Sequence, residues 1–475
     1  MALDIKQMPP KKRRFAFLRK QYPTFLYESH RWSCKGQNLK VSFEFVTGDI
    51  KFQPESTITF PKKFSLAKLS KAKESLVDNL VFQIGMIEML SYWKAVCAPT
   101  IIVKHKSLTK TQVSWWKKLY YQGLGEYLYL NGINIDQDQL VSFVTESKEK
   151  YSVSDKINSK EKTYLVPIGG GKDSLATIEI LKKSKANKFY LLMNPTKAAK
   201  DSAKAATTRW KEECIFIKRT IDSNLLDLNA RGYLNGHTPF SAMLAFYSNL
   251  ASVIIGAKYT ILSNESSANE PTILGTNINH QYSKSYEFEK DFNNYLSRYV
   301  SSRFLYFSLL RPINEFQIVS IFSSNPKNLK IFKSCNVGSK KDVWCCNCSK
   351  CLFVFILLSA KIGIGKTAKV FGENLFLKKN LKKIFEELIG RSKHKPFECI
   401  GTIDEVNVAI TCLHINEEGA FSKMYLLKLY KKKYEDSFAT NKEIEKIKNQ
   451  FDKKHKLNPR FKKLIHEVYA EASKG

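Results

Sequence analysis

A chain of 475 residues predicts two or three domains around well-buried interiors. Its 43% hydrophobic content and 12% aromatics exclude wholesale disorder, which needs low hydrophobicity combined with high charge. The formal net charge of +33 favours an anionic partner, whether nucleic acid, lipid or metabolite. The excess is mostly lysine spread along the chain, and arginine is the residue suited to bidentate phosphate recognition, so a general lysine bias with no nucleic acid required is the expectation.

In chain order, the opening MALDIKQMPPKKRRF has no apolar h-region and no small-residue cleavage site. It predicts no secretory signal, and PPKKRR reads as a solvated basic tail. Residues 38–60 alternate apolar and polar positions around Thr47-Gly48-Asp49 and predict a hairpin. Residues 80–95 and 112–121 read as helices, and the aperiodic stretch 146–162 reads as a linker. Beyond it, apolar runs at 163–168, 189–193, 214–217 and 258–263 alternate with helical segments, the pattern of a parallel α/β sheet. The longest apolar run, Leu352–Leu358, is far too short to span a bilayer. A soluble cytoplasmic protein without membrane insertion is therefore expected. Lysine-rich helices follow about residue 375. The expected division is an α+β N-terminal domain over 1–155, a parallel-sheet α/β domain over 160–375, and a C-terminal Lys-rich helical region over 376–475.

The stretch VPIGGGKDSLATIEIL, residues 166–181, sets glycines directly between a strand and a helix, where backbone N–H groups and the positive helix end make an anion site. A P-loop NTPase requires G-x-x-x-x-G-K-[ST], but Lys172 is followed by Asp173 and residue 166 is Val. Gly365-Lys366-Thr367 also fails, with Ala360 where the first glycine belongs. A dinucleotide fold lacks its ribose carboxylate, because the next strand ends Met193-Asn194-Pro195. The remaining option, Gly169-Gly170-Gly171-Lys172-Asp173-Ser174, resembles the S-G-G-x-D-S signature of the PP-loop ATP pyrophosphatases, with Gly169 replacing the first serine. That resemblance implies ATP, with the loop on the β and γ phosphates, cleavage between α and β, and adenylation of a substrate oxygen. On physical grounds Asp173 would hold Mg²⁺, Lys172 would neutralise phosphate charge, and Ser174 would donate from the helix start.

Five of the ten cysteines fall between Cys335 and Cys351, a clustering that suggests a metal site in a reducing compartment. Cys335, Cys345, Cys348 and Cys351, spaced C-x9-C-x2-C-x2-C, suit one tetrahedral ion. Structural Zn²⁺ is the default for four thiolates, with an iron–sulfur cluster as the rival. Cys346 is the surplus member.

Between the two motifs lie NGHTPFSA (235–242), SNESSANE (263–270) and NHQYSKSYEFE (279–289), each gathering polar residues where an α/β sheet places ligands. They offer His280, Lys284, His237 and Glu265 as catalytic candidates, with His280 first for its near-neutral intrinsic pKa. Asn264, Asn269, Glu270 and Glu287 are the substrate-binding candidates.

These segments, in this order, with YFSLLRPINE (306–315), the cysteine run, HKPFECIGT (394–402), SYWK (91–94) and YYQGLGEYLYLNGI (120–133), resemble the UDP-N-acetylmuramoyl-L-alanyl-L-glutamate epimerases of peptidoglycan synthesis. The likeness covers roughly residues 40–405. It implies inversion of the terminal L-glutamate of UDP-N-acetylmuramoyl-L-alanyl-L-glutamate while ATP becomes AMP and pyrophosphate. A PP-loop deazapurine synthase or tRNA-modifying enzyme is the alternative, suggested by the cysteine run and the basic charge.

Overall fold

The computed structural model describes residues 8–269, 281–392, 396, 398 and 400–474. Its centre is one mixed sheet of eleven strands. In chain order these are β1 (Thr24–Lys35), β2 (Asn38–Thr47), β3 (Ile50–Phe52), β4 (Glu55–Thr59), β5 (Thr100–Val103), β6 (Ser142–Thr145), β7 (Lys160–Pro167), β8 (Asn187–Met193), β9 (Cys214–Thr220), β10 (Ala257–Leu262) and β11 (Leu305–Ser308). The spatial order is β11-β10-β7-β8-β9-β4-β2-β1-β5-β6, with β3 pairing β2.

The hairpin predicted around Gly48 is β2–β3, and β2 buries Leu39, Val41, Phe43 and Phe45 on one face, as period-2 alternation requires. The four predicted parallel strands are β7 to β10, and β11 joins them. They do not end at a parallel edge, however. β9 pairs antiparallel with β4, Ile58 lying opposite Ile217, so the sheet runs unbroken from the parallel strands into the N-terminal hairpins. The sequence reading missed this seam because β4 alone is a short strand with no mark of its distant partner.

The parallel strands are covered on both faces, as such strands must be. Leu165, Phe189, Leu191, Ile215 and Ile217 face a core shared with the N-terminal half. Tyr164, Val166, Tyr190, Leu192 and Ile261 face a second core built with the C-terminal helices. In the first core the Lys71–Trp93 helix is buried almost all round. Gly85 is what lets it lie on β1, since a Cβ there would stand 1.7 Å from the Tyr27 hydroxyl. Glu88 of that helix takes Arg219 of β9 in a buried bidentate pair with N–O distances of 2.6–2.9 Å, which ties the two halves together.

Two basic segments at the ends of the chain pack against the rest of it. Lys11–Arg14 of PPKKRR begin the Lys11–Gln21 helix with Lys11, Lys12 and Arg13 exposed, while Arg14 donates to the Gly232 carbonyl and, further along the helix, Arg19 to those of Cys97 and Leu140. These two arginines satisfy backbone carbonyls of distant segments. At the other end, the Pro459–Ser473 helix inserts Phe461 against the rings of Tyr164, Tyr259 and Phe307, with centroids 5.0–5.6 Å away.

Candidate active site

The glycine loop leaves the carboxyl end of β7 and enters the Lys172–Lys182 helix at Gly171. Gly170 has φ +86°, and a Cβ on it would come within 2.4 Å of the Ala199 backbone nitrogen. Only glycine meets both demands. The loop is laced from two sides: the Ser174 hydroxyl accepts the Gly169 N–H at 3.0 Å, and the Lys333 N–H donates to the Gly170 carbonyl at 3.1 Å.

Lys172 is fully buried, and its ammonium is ion-paired with both Asp173 and Glu315. Burial penalises that ammonium, but Asp173, Glu315 and Glu265 outweigh the penalty and hold its pKa above the ordinary value. The two carboxylates divide the proton unequally. Burial opposes charge on Asp173, yet Lys172 and Lys350 hold its pKa below the usual range. Glu315 is buried without exposure, and burial pushes it up to about 8 in spite of Lys172. Charge is thus favoured on Asp173, which retains 27% exposure, and disfavoured on Glu315. Of the two carboxylates, Asp173 is the one that keeps contact with solvent.

Arg311, also fully buried, organises the next layer. Its guanidinium donates to the carbonyls of Glu265 (2.9 Å) and Lys284 (2.5 Å) and meets the Glu289 carboxylate at 3.3 Å. The same Glu289 oxygen accepts the Ser308 N–H. One residue therefore binds the turn after β10, the segment before the Tyr286–Tyr299 helix, and the end of β11. Glu315 opens the Glu315–Ser323 helix, and its backbone N–H donates to Glu405 at 2.6 Å.

The structure brings Lys172, Asp173 and Glu265 into one charged cluster, with Lys284 acting on Asp173. Asn264 follows β10 with its N–H on the Ser308 hydroxyl. Asn269 closes the Ser266–Asn269 turn; Glu270 and His280 lie outside the described residues. His237 stands 3.6 Å from Glu126. Beside it is a group the sequence reading passed over: Lys94, whose ammonium bonds the Gly236 carbonyl and Thr238 hydroxyl and whose pKa burial lowers to about 8. Glu287 pairs with Lys118 at 2.5 Å, on the helix Lys110–Gly123. Arg311, Glu315, Glu289, Glu405 and Lys350 were also missed. Four of them lie in the quoted motifs or the cysteine run, and the usable signal was a charge set among residues otherwise apolar.

The four predicted sulfurs converge. Ligand atoms of Cys335, Cys345, Cys348 and Cys351 all lie within 4.8 Å of one another. The Cys345 and Cys351 sulfurs are 3.7 Å apart, close to the edge of about 3.8 Å that a tetrahedron with 2.3 Å zinc–sulfur bonds would have. The Cys348 thiol is drawn down to about 6, chiefly by its hydrogen bond with Cys351. Cys346 turns away to the Phe371 carbonyl. The donor set fits a closed, thiolate-bound ion.

The fold and site define an α/β protein with a glycine loop between strand and helix, a buried lysine–carboxylate cluster and a four-cysteine pocket. Family models then place it: the MurL N-terminal domain matches residues 16–309 and the MurL C-terminal domain residues 331–445, and the chain belongs to the MurL family. It is similar to the UDP-N-acetyl-alpha-D-muramoyl-L-alanyl-L-glutamate epimerase of Xanthomonas oryzae pv. oryzae, 30% identical over 73% of this chain and 76% of that protein. The proteins of the same name from Salinispora tropica (30% identical, 78% and 83% covered) and Micromonospora sp. (29%, 72% and 76%) are comparably similar. No solved structure matches the chain. Among the described residues no helix is long and apolar enough to cross a membrane.

Proposed function

We propose that the chain inverts the terminal L-glutamate of UDP-N-acetylmuramoyl-L-alanyl-L-glutamate to D-glutamate in peptidoglycan precursor synthesis, through an acyl-adenylate formed from ATP. The observation that carries this reading is a glycine loop with a buried Lys172 and a partly open Asp173, in a chain whose relatives bear the epimerase name. The PP-loop reading of that loop and a cytoplasmic setting belong to the same proposal.

The chemistry explains why an epimerase would need a nucleotide loop. A carboxylate resists loss of the adjacent Cα proton, because the carbanion adds a second negative charge to the same group. Attack of a carboxylate oxygen on the α phosphorus, with pyrophosphate leaving, removes that charge. The Cα proton can then pass to a protein base and the enolate is reprotonated on the opposite face. Water attacks the acyl carbon and releases the D-epimer and AMP. Lys172 and the loop N–H groups would face the phosphate charge, and Asp173 would hold Mg²⁺, which would offset phosphate charge when bound. Cys335, Cys345, Cys348 and Cys351 would hold structural Zn²⁺. The proton carriers proposed are His280, Lys284 and His237, with Glu265 beside the loop; Asn264, Asn269, Glu270 and Glu287 are proposed substrate contacts.

The test is incubation with ATP, Mg²⁺ and the L,L-dipeptide nucleotide in heavy water. AMP, pyrophosphate and deuterium at the glutamyl Cα of the D-product are expected. ADP as the spent nucleotide, or inversion without deuterium, would overturn the mechanism. Asp173→Asn should abolish AMP formation while the fold, followed by circular dichroism, is kept.

A further inference from the structure

Gly171 stands at the N-cap of the Lys172–Lys182 helix and has no side chain to offer its first amides. Another part of the chain supplies one. The Ser334 hydroxyl accepts the Lys172 N–H at 3.3 Å and lies 3.1 Å from where a Cβ on Gly171 would be. Its position is set on both sides: Lys333 N–H holds the Gly170 carbonyl, and Cys335, the next residue, is one of the four clustered thiols. Ser334 is partly exposed, and among the described residues no acceptor takes its own hydroxyl proton.

The loop's own hydroxyl, on Ser174, is buried, whereas that of Ser334 is partly exposed. Ser174 accepts the Gly169 N–H, and Gly169 occupies the place of the serine in the signature the loop resembles. Space is not the reason for that glycine, because a Cβ there would meet nothing closer than the Ser174 hydroxyl at 3.8 Å.

We propose that Ser334 is a phosphate-binding residue of the nucleotide site: its oxygen accepts the Lys172 N–H while its hydroxyl proton is donated to a β or γ phosphate oxygen, replacing the hydroxyl absent at Gly169. This rests on the ATP reading above. A hydroxyl that only capped the helix would stabilise the apo chain and be indifferent to the nucleotide's phosphates; a ligand would discriminate between ATP and AMP.

Calorimetric binding of ATP and of AMP to the full-length wild type, Ser334→Ala, Ser334→Thr, Gly169→Ser and the Gly169→Ser/Ser334→Ala double variant tests it, with melting temperature recorded for each. A hydrogen bond to a charged oxygen corresponds to an affinity loss of about tenfold or more, so Ser334→Ala should weaken ATP by that factor and leave AMP unchanged. Ser334→Thr should stay within about twofold of wild type, since the hydroxyl is kept. The double variant should recover much of the lost ATP affinity, because Gly169→Ser returns a hydroxyl to the loop. Equal ATP binding by wild type and Ser334→Ala would overturn the proposal, as would an equal loss for ATP and AMP, or a double variant no better than Ser334→Ala alone. A wild type that binds no ATP would instead remove the nucleotide reading on which it rests.

Discussion

Lys172 is asked to serve two carboxylates, and the fold decides which of them keeps a proton. Glu315, with no exposure, has its pKa raised from 4.5 to about 8. Between those values the folded chain holds a proton that the unfolded chain has released. The stability this group contributes is therefore complete below about pH 4.5, declines as pH rises, and levels off above about pH 8. Glu315→Gln imitates the protonated form and removes that slope. Melting temperatures from pH 5 to 9 should fall for wild type relative to the variant; parallel profiles would refute the assignment. A second prediction concerns the neighbouring glycines. Gly170→Ala must adopt φ +86° against the Ala199 backbone and should cost on the order of 3 kcal/mol in urea unfolding, whereas Gly169→Ala, with open space around it, should cost little. Glycines directly after an apolar strand announce the loop from sequence alone. Arg311 and Glu315 carry only a weak local sign, a charge among apolar neighbours: each stands near an element end, where surface charges and caps are common, and its meaning comes from partners in other segments.

At the scale of elements, the loop and the thiol cluster are neighbours through three consecutive residues, Lys333, Ser334 and Cys335, two of which bond the loop. Cys348→Ser should lose the Zn²⁺ proposed for the thiol cluster, measured by atomic emission, and lower the melting temperature. Structural sites of this kind contribute on the order of 10 kcal/mol, and amide exchange at Lys172 should speed up as its acceptor loosens. A variant with full metal content and an unchanged melt would contradict this. The sulfur spacing was legible because tetrahedral convergence is a local property of C-x2-C pairs. The adjacency of sulfurs and loop was not, since it depends on how the chain after the Pro326–Ile331 helix returns to the loop that follows β7.

For the whole molecule, the lysine-rich C-terminal end lies partly outside the family match, which stops at residue 445, yet it is part of the core. Asn314 donates to the Ile447 carbonyl and Gln317 to those of Lys448 and Gln450, bracing the turn that presents Glu315. Phe461 covers three aromatic rings of the sheet. Phe461→Ala should cost about 3–5 kcal/mol by urea denaturation, and deletion from residue 446 onward should yield a chain that does not stay soluble. Composition marked this region only as Lys-rich helices, because its apolar residues are sparse and fall at helical spacing among lysines. The unbroken sheet was equally hidden: alternation reveals strands, while the pairing of β4 with β9 is a long-range choice.

That pairing governs how the protein can be made. A ribosome releases Glu55–Thr59 well before Cys214–Thr220, an interval on the order of ten seconds at ordinary elongation rates. Through that time the N-terminal hairpins travel with an open strand edge, and the nascent chain is exposed to mispairing with its neighbours on a polysome.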